Sequence, residues 1–72
     1  MNLDCRGQLC PQPVIELAKA VRELPPGTVI RIETDDPAAA VDIPAWCRMR
    51  GHGVAIVEQH QNVLVHEVTV AA

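Results

Sequence analysis

The chain has 72 residues, 49% hydrophobic and 21% charged, with six Lys or Arg against nine Asp or Glu and a formal charge of −3. That balance excludes a disordered chain, and the length leads to the expectation of one small globular domain, residues 1–72. One Trp is the only aromatic residue, so the common nucleic-acid modules, which need a basic face and stacking aromatics, are excluded as well.

Asn2 to Cys5 reads as a short strand, and Arg6-Gly7-Gln8-Leu9 as a loop in which Gly7 supplies backbone freedom. After Cys10-Pro11-Gln12-Pro13, the apolar residues Val14, Leu17, Ala18, Val21 and Leu24 recur at one-face helical spacing. Proline suits only the first helical turn, so Pro11 and Pro13 set the helix start and place Cys10 at the N-cap. Pro25-Pro26-Gly27 ends the helix. Thr28 to Thr34 is a strand with Ile30 and Ile32 on one side and Arg31 and Glu33 on the other.

Asp35-Asp36-Pro37 opens a second helix, with Asp36 as N-cap and Pro37 at the first helical position. Pro44 clashes with the carbonyl of Ala40 in a continuous helix. The expectation is therefore a turn over Ala38 to Val41 and a restart capped by Asp42. Ile43, Trp46, Cys47 and Arg50 then follow at helical spacing up to Gly51. Val54 to Glu58 and Val63 to Val68 make an antiparallel hairpin around Gln61-Asn62. The order βαβαββ gives an α/β (α+β) two-layer sandwich, a four-stranded mixed sheet with two helices on one face. Right-handed crossovers place both helices there and leave the other face open for docking.

A domain of this size has a stability of roughly 4–11 kcal/mol and little room for an enclosed active site, so its chemistry sits at the surface and larger partners complete it. No apolar run approaches the ~18 residues of a membrane span, and Met-Asn-Leu-Asp-Cys lacks the regions of a signal peptide. A cytoplasmic location follows as the expectation, and there the three cysteines are thiols rather than a disulfide framework.

Cys10 is the sharpest candidate. A cysteine at a helix N-terminus meets the positive end of the dipole, which favours thiolate over thiol and lowers the pKa from about 8.5 to as low as ~3.5 in such settings. Pro13, at the third helical position, has no N–H, which leaves the Gln12 N–H for the sulfur. Nothing nearby resembles a general base or an oxyanion hole, so such a sulfur suits handing atoms to another protein. Residue types alone leave open a small buried side chain or a passive cap. Cys5 is a core residue or a resolving thiol for Cys10; Cys47, beside Trp46, reads as core, and Trp46 as its anchor. His52, His60 and His66 match no compact metal-ligand spacing and read as surface histidines. Asp36 is a cap rather than half of a catalytic pair with Asp35. Arg6, Arg48 and Arg50 are the cations able to hold a thiolate or an anionic partner if the fold brings them to Cys10.

Cys10-Pro11-Gln12-Pro13 also resembles the Cys-Pro-x-Pro signature of the TusA/SirA-like sulfur-carrier family. The likeness continues in Leu3-Asp4-x-Arg6-Gly7, Asp35-Asp36-Pro37, Asp42-Ile43-Pro44 and Trp46-Cys47-Arg48-x-x-Gly51-His52. It implies the same βαβαββ sandwich and a persulfide on Cys10, positioned by Pro11 and Pro13 with assistance from Arg6. It further implies a sulfurtransferase that acts as a carrier rather than a stand-alone enzyme, without cofactor or metal. The partners implied are a cysteine desulfurase or rhodanese-like sulfur donor and an acceptor protein serving tRNA thiolation, molybdenum-cofactor enzymes or sulfur oxidation. No direct nucleic-acid or membrane contact is expected, and the chain is expected to be a monomer. Where the family usually has leucine after Arg-Gly, this chain has Gln8, followed by Leu9, which reshapes the loop before Cys10. Two other readings are an adaptor module docking through the open sheet face and a Cys5/Cys10 redox pair.

Overall fold

In a computed structural model of the chain, residues 1–9 and 11–71 are described; Cys10 and Ala72 lie outside the described residues. The elements are β1 (Asn2–Asp4), α1 (Gln12–Glu23), β2 (Val29–Thr34), α2 (Ala39–Arg50), β3 (Gly53–His60) and β4 (Val63–Thr69). They form one four-stranded sheet in the order β1-β2-β4-β3, with β1 parallel to β2 and the other pairs antiparallel. The expected βαβαββ order and mixed sheet are therefore present. No helix among the described residues is long and apolar enough to cross a membrane.

The alternation along β2 decides which face is covered. Ile30 and Ile32 are buried against Leu17 of α1 and against Ala39, Ile43 and Cys47 of α2, with Val68 of β4 completing the core. The residues between them point the other way: Arg31 reaches Glu58 and Glu67 on the open face. Both helices thus lie on one side of the sheet, as the right-handed crossovers require.

Both helices begin later than the prolines suggested. Pro11 is the N-cap of α1, so Pro13 is its second residue rather than its third. The Gln12 N–H, expected to be open to the sulfur, donates instead to the Leu9 carbonyl at 2.8 Å. At α2, Asp36 caps a lead-in turn, its Oδ1 accepting from the Ala38 N–H at 3.1 Å, and the helix proper starts at Ala39. The break expected at Pro44 is absent, and α2 runs through it. The N–H groups of Ala39, Ala40 and Val41 all donate to carbonyls three residues back. The tight lead-in turn and the helix therefore merge instead of restarting at Asp42. A proline inside a helix costs about 3 kcal/mol, and the burial of Ala39, Ile43 and Cys47 along one side offsets it.

The histidine reading also needs correction at His66. It stands between Ile32 and Ile56 in the strand register and is 0% exposed. The sequence signal for this was the alternation of β4, which puts His66 in phase with Val68 on the helix-facing side. His60 is a surface residue as expected, whereas His52 is half-buried.

Candidate functional site

The segment that leads to Cys10 is braced from three sides. Cys5 continues the parallel ladder through its N–H to the Glu33 carbonyl at 2.8 Å. Arg6 then turns back on Asp4, its Nε and Nη2 each 2.9 Å from a carboxylate oxygen, with Glu33 3.6 Å away. Gly7, at φ 81°, donates its N–H to both oxygens of Asp35, at 2.9 and 3.0 Å. Asp35 is a site residue that the sequence reading missed; the signal was a second carboxylate where one cap suffices. Beyond Cys10, the Pro11 carbonyl accepts from the Ile15 N–H at 3.1 Å. Both residues flanking Cys10 in the chain are exposed, Leu9 at 76%. Pro11 and Pro13 are thus placed, while Cys10 itself is outside the described residues.

Arg6 carries a compensated charge. Its fork holds the Asp4 carboxyl down at about 2, well under the ordinary 3.8, and the same contacts raise the guanidinium. The two described cysteines are sealed: Cys5 is 1% exposed and Cys47 0%. Burial, then the nearby charges of Glu16 and Asp4, pushes the Cys5 thiol up, and burial pushes Cys47 up to about 11. Neither is a thiolate at neutral pH. Cys47 fills the core as expected.

A groove between α1 and α2 begins at Pro11. Pro11 and Val14 face Asp42, Ala45, Trp46 and Met49 across a cleft of about 270 Å³. Further along, Ala18, Val21 and Arg22 face Trp46, Arg50 and His52 across a second cleft of about 120 Å³. Trp46 lines both clefts and is half-buried, so the expected core anchor also forms the groove floor. It stacks on His52 with ring centroids 5.3 Å apart. The structure thus places Arg50 beside Arg22, at the far end of the groove from Pro11.

Fold and loop together define a small two-layer α/β domain that braces the start of its first helix on the surface. The chain belongs to the TusA family: the profile described as Sulfurtransferase TusA matches residues 1–70. Among its relatives, the sulfur carrier protein TusA of Pseudomonas syringae pv. tomato is 33% identical over 64 residues, 89% of this chain and 76% of that protein. A putative sulfur carrier protein of Archaeoglobus fulgidus is 32% identical over 60 residues, 83% of this chain and 82% of that protein. The crystal structure of a SirA-like protein from Desulfitobacterium hafniense superposes with a TM-score of 0.87 at 25% identity, covering 99% of this chain and 97% of that one.

Proposed function

We propose that this protein is a sulfur carrier that holds sulfane sulfur as a persulfide on Cys10. The observation that carries this reading is the family match over residues 1–70, within which Cys10-Pro11-Gln12-Pro13 provides a cysteine between two exposed, hydrogen-bonded flanks. The buried, protonated states of Cys5 and Cys47 support Cys10 acting alone rather than in a redox pair with Cys5.

The Cys10 thiolate attacks the outer sulfur of a donor persulfide. The new S–S bond forms as the donor S–S bond breaks, and the donor leaves as a thiolate. An acceptor nucleophile then takes the outer sulfur and returns Cys10 to the thiolate. Each step exchanges one S–S bond for another or delivers the sulfane sulfur, so the carrier undergoes no net redox change. The α1 dipole favours the anion, Pro11 and Pro13 hold the turn, and Arg6 assists by pinning the preceding loop to Asp4. The donor is a cysteine desulfurase or a rhodanese-like protein, and the acceptor serves tRNA thiolation, a molybdenum-cofactor enzyme or sulfur oxidation. The setting is the cytoplasm, where thiols stay reduced.

Incubation with a cysteine desulfurase and cysteine is expected to add the mass of one sulfur atom to the wild type and none to Cys10→Ser, with the variant folded by circular dichroism. Sulfur found on Cys5 or Cys47 overturns the assignment.

A further inference from the structure

The chemical difference between the two ends of the interhelical groove calls for an explanation. The Pro11 end is mostly apolar, with Asp42 as the one charged residue of its lining, and is bordered by Met49 at 78% exposure. The far end brings Arg22 and Arg50 together from two helices, and neither has a carboxylate within ion-pair distance among the described residues. His52 adds a third group there. Its Nδ1 accepts the Ala71 N–H at 2.9 Å, so the ring hydrogen sits on Nε2 and that nitrogen is a donor. Cations in last helical turns offset the helix dipoles, which accounts for one arginine on each helix but not for their convergence on a shared cleft. On the open sheet face, by contrast, Arg31 is matched by Glu58 and Glu67.

We infer that this groove seats an extended segment of the protein that exchanges sulfur with Cys10, an apolar stretch lying against Pro11, Val14 and Met49 and a carboxylate held by Arg22 and Arg50. The inference rests on the sulfur-carrier reading, because the reacting sulfur of the segment must reach the residue bonded to Pro11. The spacing is set by the helix. From Pro11 to Arg22 the rise is about 16 Å at ~1.5 Å per residue, which an extended chain covers in about five residues at ~3.3 Å each. The segment therefore carries its acidic side chain about five positions from its cysteine. Two guanidiniums give a planar carboxylate a geometry that a lysine pair lacks.

Trp46, the sole tryptophan, lies between the two ends and reports occupancy directly. The probe is a short synthetic peptide with cysteine at one end, apolar residues in the middle and paired aspartates about five positions on; Trp46 fluorescence is read on Cys10→Ser so that no covalent step intervenes. A saturable change is expected, weakened at least tenfold when the aspartates become asparagines and equally weakened in Arg22→Gln/Arg50→Gln. No response to the aspartate peptide, an equal response to the asparagine peptide, or unchanged binding by the double variant overturns the inference. Saturation of the same signal by inorganic sulfate alone also overturns it, in favour of a small-anion site. A parallel arm loads wild type and the double variant from a low-molecular-weight persulfide. Loading without peptide binding sinks the groove and spares the carrier. Peptide binding without loading sinks the carrier reading.

Discussion

Thr34, Gln8 and His66 each bury a polar side-chain atom that has no hydrogen-bond partner among the described residues. An orphaned buried group costs about 1–3 kcal/mol, and removing it without changing shape recovers part of that. Thr34→Val is nearly isosteric and is expected to raise stability by about 1 kcal/mol in urea unfolding, with the slope unchanged. Gln8 lies in the loop before Cys10, and its Oε1 is sealed without a partner among the described residues; Gln8→Leu is expected to gain a similar amount by the same mechanism, about 1 kcal/mol. His66 is the extreme case, since both ring nitrogens are orphaned between two isoleucines. His66→Leu is expected to stabilise the fold, and a loss of stability in that variant would show that the ring has a partner.

At the scale of elements, the ends of the helices are more informative than their middles. Gly51 closes α2 at φ 80°, its own N–H donating to Arg48 and the following His52 N–H to the Cys47 carbonyl at 2.9 Å. A Cβ there meets nothing within 4 Å, so a substitution is opposed by backbone conformation alone. Gly51→Ala is expected to cost about 1 kcal/mol, and to disturb His52 and with it the basic end of the groove. The lead-in to α2 has a different logic: Asp36 and the three-residue bonds of Ala39 to Val41 tighten the chain before Pro44. In β3, the register shift between Ile56 and Glu58 puts a bulge at Val57 on an edge strand, a feature that hinders pairing with another sheet.

For the whole molecule, pH tests the burial pattern. Burial depresses the pKa of His66 below its ordinary 6.5. The unfolded chain therefore takes up the proton first as pH falls. The contribution of neutral His66 is complete above about 6.5 and is lost as pH drops from there towards the folded value. Asp4 and Glu58 act lower. Asp4 is held at about 2 by Arg6, and Glu58 is lowered by His60 and then Arg31. Their contributions are present above the ordinary carboxylate values and vanish as pH falls through the depressed ones. Thermal unfolding of the wild type is expected to lose stability first below about pH 6.5. The same scan on His66→Leu is expected to stay flat until the carboxylate range; an unchanged slope near pH 6 would assign the loss to another group.

Strand alternation, helix spacing and the proline and glycine stops are local, so the sequence by itself determined six elements, their order and most of the core side of α1: Leu17 is buried and Val14, Val21 and Leu24 pack against the core, whereas Ala18 lines the groove and the buried Ala20 was not on the expected face. The motif around Cys10 was legible for the same reason, being contiguous. The continuity of α2 through Pro44 was not, because the burial that offsets a lost hydrogen bond is a sum over distant partners. His66 differs: the alternation of β4 already puts it in phase with Val68, and only its neighbours Ile32 and Ile56, from two other strands, needed the fold. Only the packing of α1 against α2 decided that Arg22 meets Arg50, and only the approach of β2 to the first loop decided that Asp35 holds Gly7. Contacts between residues 28 apart in the chain leave no mark in local propensity, since the chain closes such loops only when the core that brings them together has formed.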